Sequence, residues 1–132
     1  MNGSINTFQS NTNIKYFSLE YVNNIMGNIE TCFINKYKLA SMGLEYQAYN
    51  SNNDTTDPYT RSPNISGNIS VFADKYDLQA LTLRLYINVN GQVKDLKNLK
   101  KIYFFNCYRS WGITGSQSDL WNNGANCSYF NI

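Results

Sequence analysis

Between Leu81 and Val89 apolar and polar residues alternate without a break: Leu81, Leu83, Leu85, Ile87 and Val89 fall on one side, Thr82, Arg84, Tyr86 and Asn88 on the other. Only an extended chain, whose successive side chains point to opposite faces, turns that order into one apolar and one polar face. The segment predicts a strand buried on one side and wet on the other, as in an antiparallel sheet covered by helix on a single face. Asn90-Gly91 offers the left-handed backbone that reverses a chain, while Gln92 to Lys100 does not alternate and reads as a wide connection. Further strands are expected at Asn68 to Ala73 and Lys101 to Cys107, with a short edge strand at Cys127 to Phe130.

The covering helix is expected upstream. Ile14, Phe17, Tyr21, Val22, Ile25, Ile29, Cys32, Phe33 and Leu39 recur mostly at intervals of three and four with no proline among them, the spacing of one helix face. Asn11, Thr12 and Asn13 can cap its start, and Gly43 follows its end. Gly27 weakens the middle by about 1 kcal/mol, so packing must hold the helix together.

A chain of 132 residues has room for one core and not for two. The expected fold is α+β in a single domain, 1–132. A long N-terminal amphipathic helix over about 14–41 packs on an antiparallel sheet of three to four strands over about 68–107. A loop over about 46–63 and a C-terminal loop over 107–132 complete it. The 46–63 stretch has hardly an aliphatic residue, and a loop of that length is a candidate contact surface.

With 42% hydrophobic and 15% charged residues the chain suits a packed globule whose surface is polar by amide and hydroxyl rather than by ions. That surface is common in adhesive and filament-forming proteins, and an AT-rich genome also produces it. A net charge of +2 is too small for a nucleic-acid footprint, and the cluster Lys94, Lys97, Lys100 and Lys101 reads as a solvated face. No apolar run approaches the roughly 20 residues that span a bilayer. The opening Met1-Asn2-Gly3-Ser4 is small and polar, so the expectation is either a cytoplasmic protein or an exported one whose leader has been removed.

The chain has no His, which removes the usual general base and the Ser-His and Cys-His arrangements. Its carboxylates form no locally spaced acid and base pair, and no phosphate-cradling Gly-rich loop follows a strand. The expectation is a protein without catalytic residues, metal or other cofactor. Oxygen ligands at Asn88, Asn90 and Asp95 could suit calcium, but turn chemistry accounts for Asn90-Gly91 without an ion. Of three cysteines, Cys107 and Cys127 bracket the Gly-rich C-terminal segment. A disulfide there would close a loop of about 20 residues and stabilise the fold by around 3 kcal/mol. The alternative is that all three are reduced, Cys32 serving as a small core residue.

Leu83 to Gly91, followed by Leu99 to Phe105, resembles a segment of bacterial type IV pilin-like and pseudopilin subunits, in which a strand ends in Asp-Val-Asn-Gly or Asp-Ile-Asn-Gly and a second strand follows a short connection. The resemblance implies a non-enzymatic structural subunit of a surface filament or secretion pseudopilus, facing the periplasm before assembly and the cell exterior after it. It implies partners that are further filament subunits, outward-facing loops at 46–63 and 107–127, and a membrane contact only through an apolar N-terminal helix preceding this chain. Asn88 stands where the family pattern often has Asp, so no calcium site is carried over. An alternative reading is an extracellular module binding a glycan or host protein, in which Tyr108, Trp111, Trp121 and Tyr129 stack on the ligand. Those side chains could equally anchor loops by packing. A third reading is a cytoplasmic effector, immunity or phage-related protein with reduced cysteines.

Overall fold

The computed structural model describes residues 2–20, 24–46, 62–120 and 127–132. Gly3, Gly27, Gly67, Gly91 and Gly115 all have φ between +122° and +138°. They stand 24 residues apart, except for the 40 between Gly27 and Gly67. Each opens one turn of a coil. Two residues after the first four glycines, Ile5, Ile29, Ile69 and Val93 point inward and are buried. Further along each turn comes an apolar triplet at spacings of three and two: Ile14, Phe17, Leu19; Leu39, Met42, Leu44; Leu78, Leu81, Leu83; Ile102, Phe105, Cys107; Cys127, Phe130, Ile132.

Each coil contributes one strand to each of two sheets. The first sheet holds β1 (Asn2–Ser4), β3 (Asn24–Asn28), β5 (Ser62–Asn68), β7 (Tyr86–Gln92) and β9 (Gly112–Thr114) in that spatial order. The second holds β2 (Tyr16–Glu20), β4 (Ser41–Glu45), β6 (Ala80–Arg84), β8 (Phe104–Asn106) and β10 (Tyr129–Asn131). Every pairing is parallel. Between the strands of a coil lies a short 3-10 turn, or in the second coil the five-residue helix α1 (Ile29–Phe33). The inward residues of successive coils stack into a single core, through which Phe8, Phe17, Phe33 and Phe72 run as a column with ring centroids 5.1–5.4 Å apart.

The glycines set the stacking distance. A Cβ on Gly27 would lie 2.6 Å from Ile5 Cγ1, one on Gly67 2.7 Å from Ile29 Cγ1, and one on Gly91 2.6 Å from Ile69 Cγ1. Each coil thus rests directly on the branched residue of the coil before it, and a side chain there would hold the two apart. Next to the glycines, Ser4, Asn28 and Asn68 accept hydrogen bonds from the amides that open the following turns, satisfying donors that a short turn leaves unpaired. Asn28 N–H donates to Asn6 Oδ1 at 3.0 Å, and Asn68 N–H to Glu30 Oε1 at 2.6 Å, tying neighbouring coils.

Two lysines are buried where the fourth coil has Leu99. Lys36 Nζ donates to the carbonyls of Phe8 (2.6 Å) and Cys32 (2.5 Å), and Lys75 Nζ to the carbonyl of Ile34 (3.1 Å) and to Asp74 (2.6 Å). Their ammonium groups thereby satisfy carbonyls that turns leave without strand partners.

This architecture corrects the expected α+β fold. Among the described residues no long helix runs over 14–41. That stretch forms β2, β3 and α1, with Tyr21 and Val22 outside the described residues. The interval of three that suggested a helix face comes from the coil, which turns an inward residue to the core at about every third position through its corners. The sheets are parallel because each coil returns the chain in the same direction. The alternating run from Leu81 to Val89 is two strands in two sheets, parted at Leu85 with φ +67°. Beyond the break the alternation ends: Tyr86 is buried and Ile87 is 47% exposed. Gly91 turns a corner rather than closing a hairpin, and Asn68 to Ala73 contains the 3-10 turn Ile69–Phe72. Most of the 46–63 loop lies outside the described residues. Coils of similar length stacked so that each contacts its neighbours form a solenoid.

Candidate functional site

The outward positions of the second sheet are free of core packing, and strand register sorts them into rows. The first row reads Tyr16, Ser41, Ala80, Phe104 and Tyr129, and the second Ser18, Gly43, Thr82, Asn106 and Asn131. The third reads Glu20, Glu45 and Arg84, with Tyr108 just beyond the end of β8. A flat middle row therefore lies between an aromatic margin and a charged one. Tyr16 is 76% exposed, and at the other end of its row Phe104 and Tyr129 stack with centroids 4.5 Å apart.

The charged margin is the more constructed. Arg84 Nη1 donates to Glu45 Oε1, with side-chain exposures of 27% and 11%. Arg84 Cζ lies 5.4 Å from the Tyr108 ring, and Arg109 Cζ lies 5.1 Å from the same ring and 5.8 Å from that of Trp111. These are cation–π distances. The corner that carries the chain from β8 towards β9 places them: Arg109 has φ +58°, as Leu85 has φ +67° one coil earlier. Leu85 N–H donates to the Tyr108 carbonyl at 3.0 Å. Ser110 Oγ locks the corner by accepting from Tyr86 N–H (2.9 Å) and donating to the Leu83 carbonyl (2.7 Å). Burial, and then the nearby Glu45 charge, push the Tyr86 phenol well above its ordinary pKa. Tyr46 and Ser62, which bracket the long insertion, donate to the carbonyls of Arg84 and Leu85, so the insertion leaves and rejoins the coil at this margin.

Among the residues singled out from sequence, Tyr108 and Trp111 meet around Arg109, whereas Tyr129 stands at the opposite margin against Phe104. Trp121 lies outside the described residues. The expected Cys107–Cys127 disulfide is absent, and all three thiols are free and buried. The two cysteines occupy different positions of the apolar triplet: Cys107 continues the column of Leu44 and Leu83, and Cys127 that of Leu39, Leu78 and Ile102. Each fills a leucine's place, and desolvation raises both thiol pKa values. Lys94, Lys97, Lys100 and Lys101 are exposed along the fourth coil, the last two beside a depression of about 490 Å³ with Tyr76 and Asn98. Among the described residues, no three His, Cys, Asp or Glu side chains gather as metal ligands. Glu45, Arg84, Arg109 and Tyr16 were not read from sequence as site residues. Their signal is the 24-residue repeat, which identifies the outward positions once the coils are aligned.

No protein-family model matches the chain, and no curated protein does. The long helix that the pilin-like resemblance would place at a filament centre is not part of this fold.

Proposed function

We propose that the chain is a non-catalytic recognition module that binds a peptide or protein partner across the outward face of its second sheet. The observation that carries this reading is the cluster of Arg84, Tyr108, Arg109 and Trp111 beside a flat row of small and polar residues. Arg, Tyr and Trp are the residue types that carry most interface energy, and stacked repeats generate extended surfaces of this kind.

A random peptide library selected on the immobilised protein tests the reading. Binders are expected to be lost on Thr82→Arg, which fills the middle of the face, and kept on Ser70→Arg, on an exposed 3-10 turn. Binders indifferent to Thr82→Arg would refute it.

A further inference from the structure

Resting on that reading, we propose that the part of the face around Gly43 seats an extended peptide segment carrying an aromatic residue and, four positions away, a lysine or arginine. Gly43 lies in the interior of β4, in unbroken register with Ser18 of β2 and Thr82 of β6. Its φ is not left-handed, unlike those of the glycines that open the coils, and an added Cβ would meet Ser18 Oγ at 3.6 Å and Thr82 Cβ at 3.9 Å, which are ordinary contacts. Neither a bulge, a corner nor crowding accounts for a glycine here. What it leaves is bare backbone in mid-face, as strand glycines do where another chain approaches closely. Ser41 and Ala80 extend that floor, and Tyr16 and Phe104 stand on the strands to either side, about 14 Å apart across three strand spacings. Tyr16 is 76% exposed, and Phe104, stacked on Tyr129 across β8 and β10, turns its other ring face towards Ala80. An aromatic side chain fits between two such rings. About 13 Å along the strands, four residues on, the floor ends at Glu20 and Glu45. Arg84 pairs with Glu45, whereas Glu20 is exposed and makes no ion pair among the described residues, and Lys15 stands at the opposite margin beside Tyr16. The charge left over at this end is negative, and its complement is a cation.

Calorimetric titration of the full chain with short capped peptides of Ser and Thr, in which Trp and Lys stand four apart in either order, tests the proposal. One of the two orders is expected to bind, more weakly as salt rises, and to fail when its Trp is replaced by Ser or its Lys by Glu. Gly43→Val fills the floor and is expected to weaken binding at least about tenfold, the size of a lost aromatic contact, without lowering the unfolding midpoint. Tyr16→Ala should act in the same direction, Glu20→Gln should remove the preference for Lys over Glu, and Ser70→Arg should have no effect. Full affinity in Gly43→Val, or equal binding of the Lys and Glu peptides, would overturn the proposal. If neither order binds while library-selected binders are still lost on Thr82→Arg, the chemistry assigned to this seat is wrong and the face stands. If those binders also ignore Thr82→Arg, both fall.

Discussion

Replacing Gly91 by alanine probes the spacing on which the solenoid depends. The new Cβ would lie 2.6 Å from Ile69 Cγ1 and 2.7 Å from Asn68 Oδ1, at a residue whose φ is +129°. Two costs follow. Forcing a side chain into that backbone region costs about 1–3 kcal/mol, and overpacking a close contact costs another 1–3 kcal/mol. Asn68 cannot simply withdraw, because its Oδ1 caps the Ser70 amide at 2.8 Å. The expected loss is therefore about 2–6 kcal/mol, a large share of the stability of an ordinary domain. Gly3 supplies the internal control. It has φ +138° but nothing within 4 Å of the added carbon, so Gly3→Ala should show the backbone cost alone, about 1–3 kcal/mol. Urea unfolding followed by Trp fluorescence, fitted with a shared slope, measures both. The double variant Gly91→Ala with Ile69→Ala should lose less than the sum of its parts, since the second change removes the atom that the first strikes. Equal losses for Gly91→Ala and Gly3→Ala, or strict additivity in the double variant, would refute the idea that the glycines set the coil spacing by contact.

Glu45→Gln should destabilise the fold by about 1–2 kcal/mol in the same assay, because it strips the partner from Arg84, whose Nε is already buried without a hydrogen bond. Asp77→Asn should have no measurable effect, since the Lys101–Asp77 pair is more than half exposed. Thiol titration is expected to find no reactive cysteine in the native protein, three after denaturation, and no change in unfolding midpoint on adding reductant. Burial raises Cys32 from 9.0 to about 11, and raises Cys107 further in the same direction. A raised folded-state pKa contributes stability that is complete below the unfolded value and lost as pH climbs through the folded one, so stability should fall from about pH 9 upward. Lys36, lowered by burial, works against that slope. Cys107→Val should flatten the alkaline decline while keeping the apolar column filled, and an unchanged slope would count against a buried, protonated thiol.

What the chain itself determined is which residues leave water. Leu81, Leu83 and Leu85 are buried as their alternation requires, Cys32 is a core residue, and Lys94, Lys97, Lys100 and Lys101 stay in solvent, whereas Ile87 of the same run is exposed and Tyr86 buried. Apolar spacing records burial within one strand, and fails where the chain passes from one sheet to the other. The repeat was equally present in the chain, in five glycines and five apolar triplets, but a segment-by-segment reading passes over it because each spacing of three imitates a helix. Tertiary structure alone decided the direction of the strands, the break at Leu85 that sends one alternating run into two sheets, and the separation of Cys107 from Cys127. It also decided the candidate site. Glu45, Arg84 and Arg109 come from three coils, and nothing in their local sequence links them until parallel stacking brings each coil onto the last. The glycine contacts that permit this stacking are formed only between coils, so the chemistry of the face follows from packing rather than from any motif along the chain.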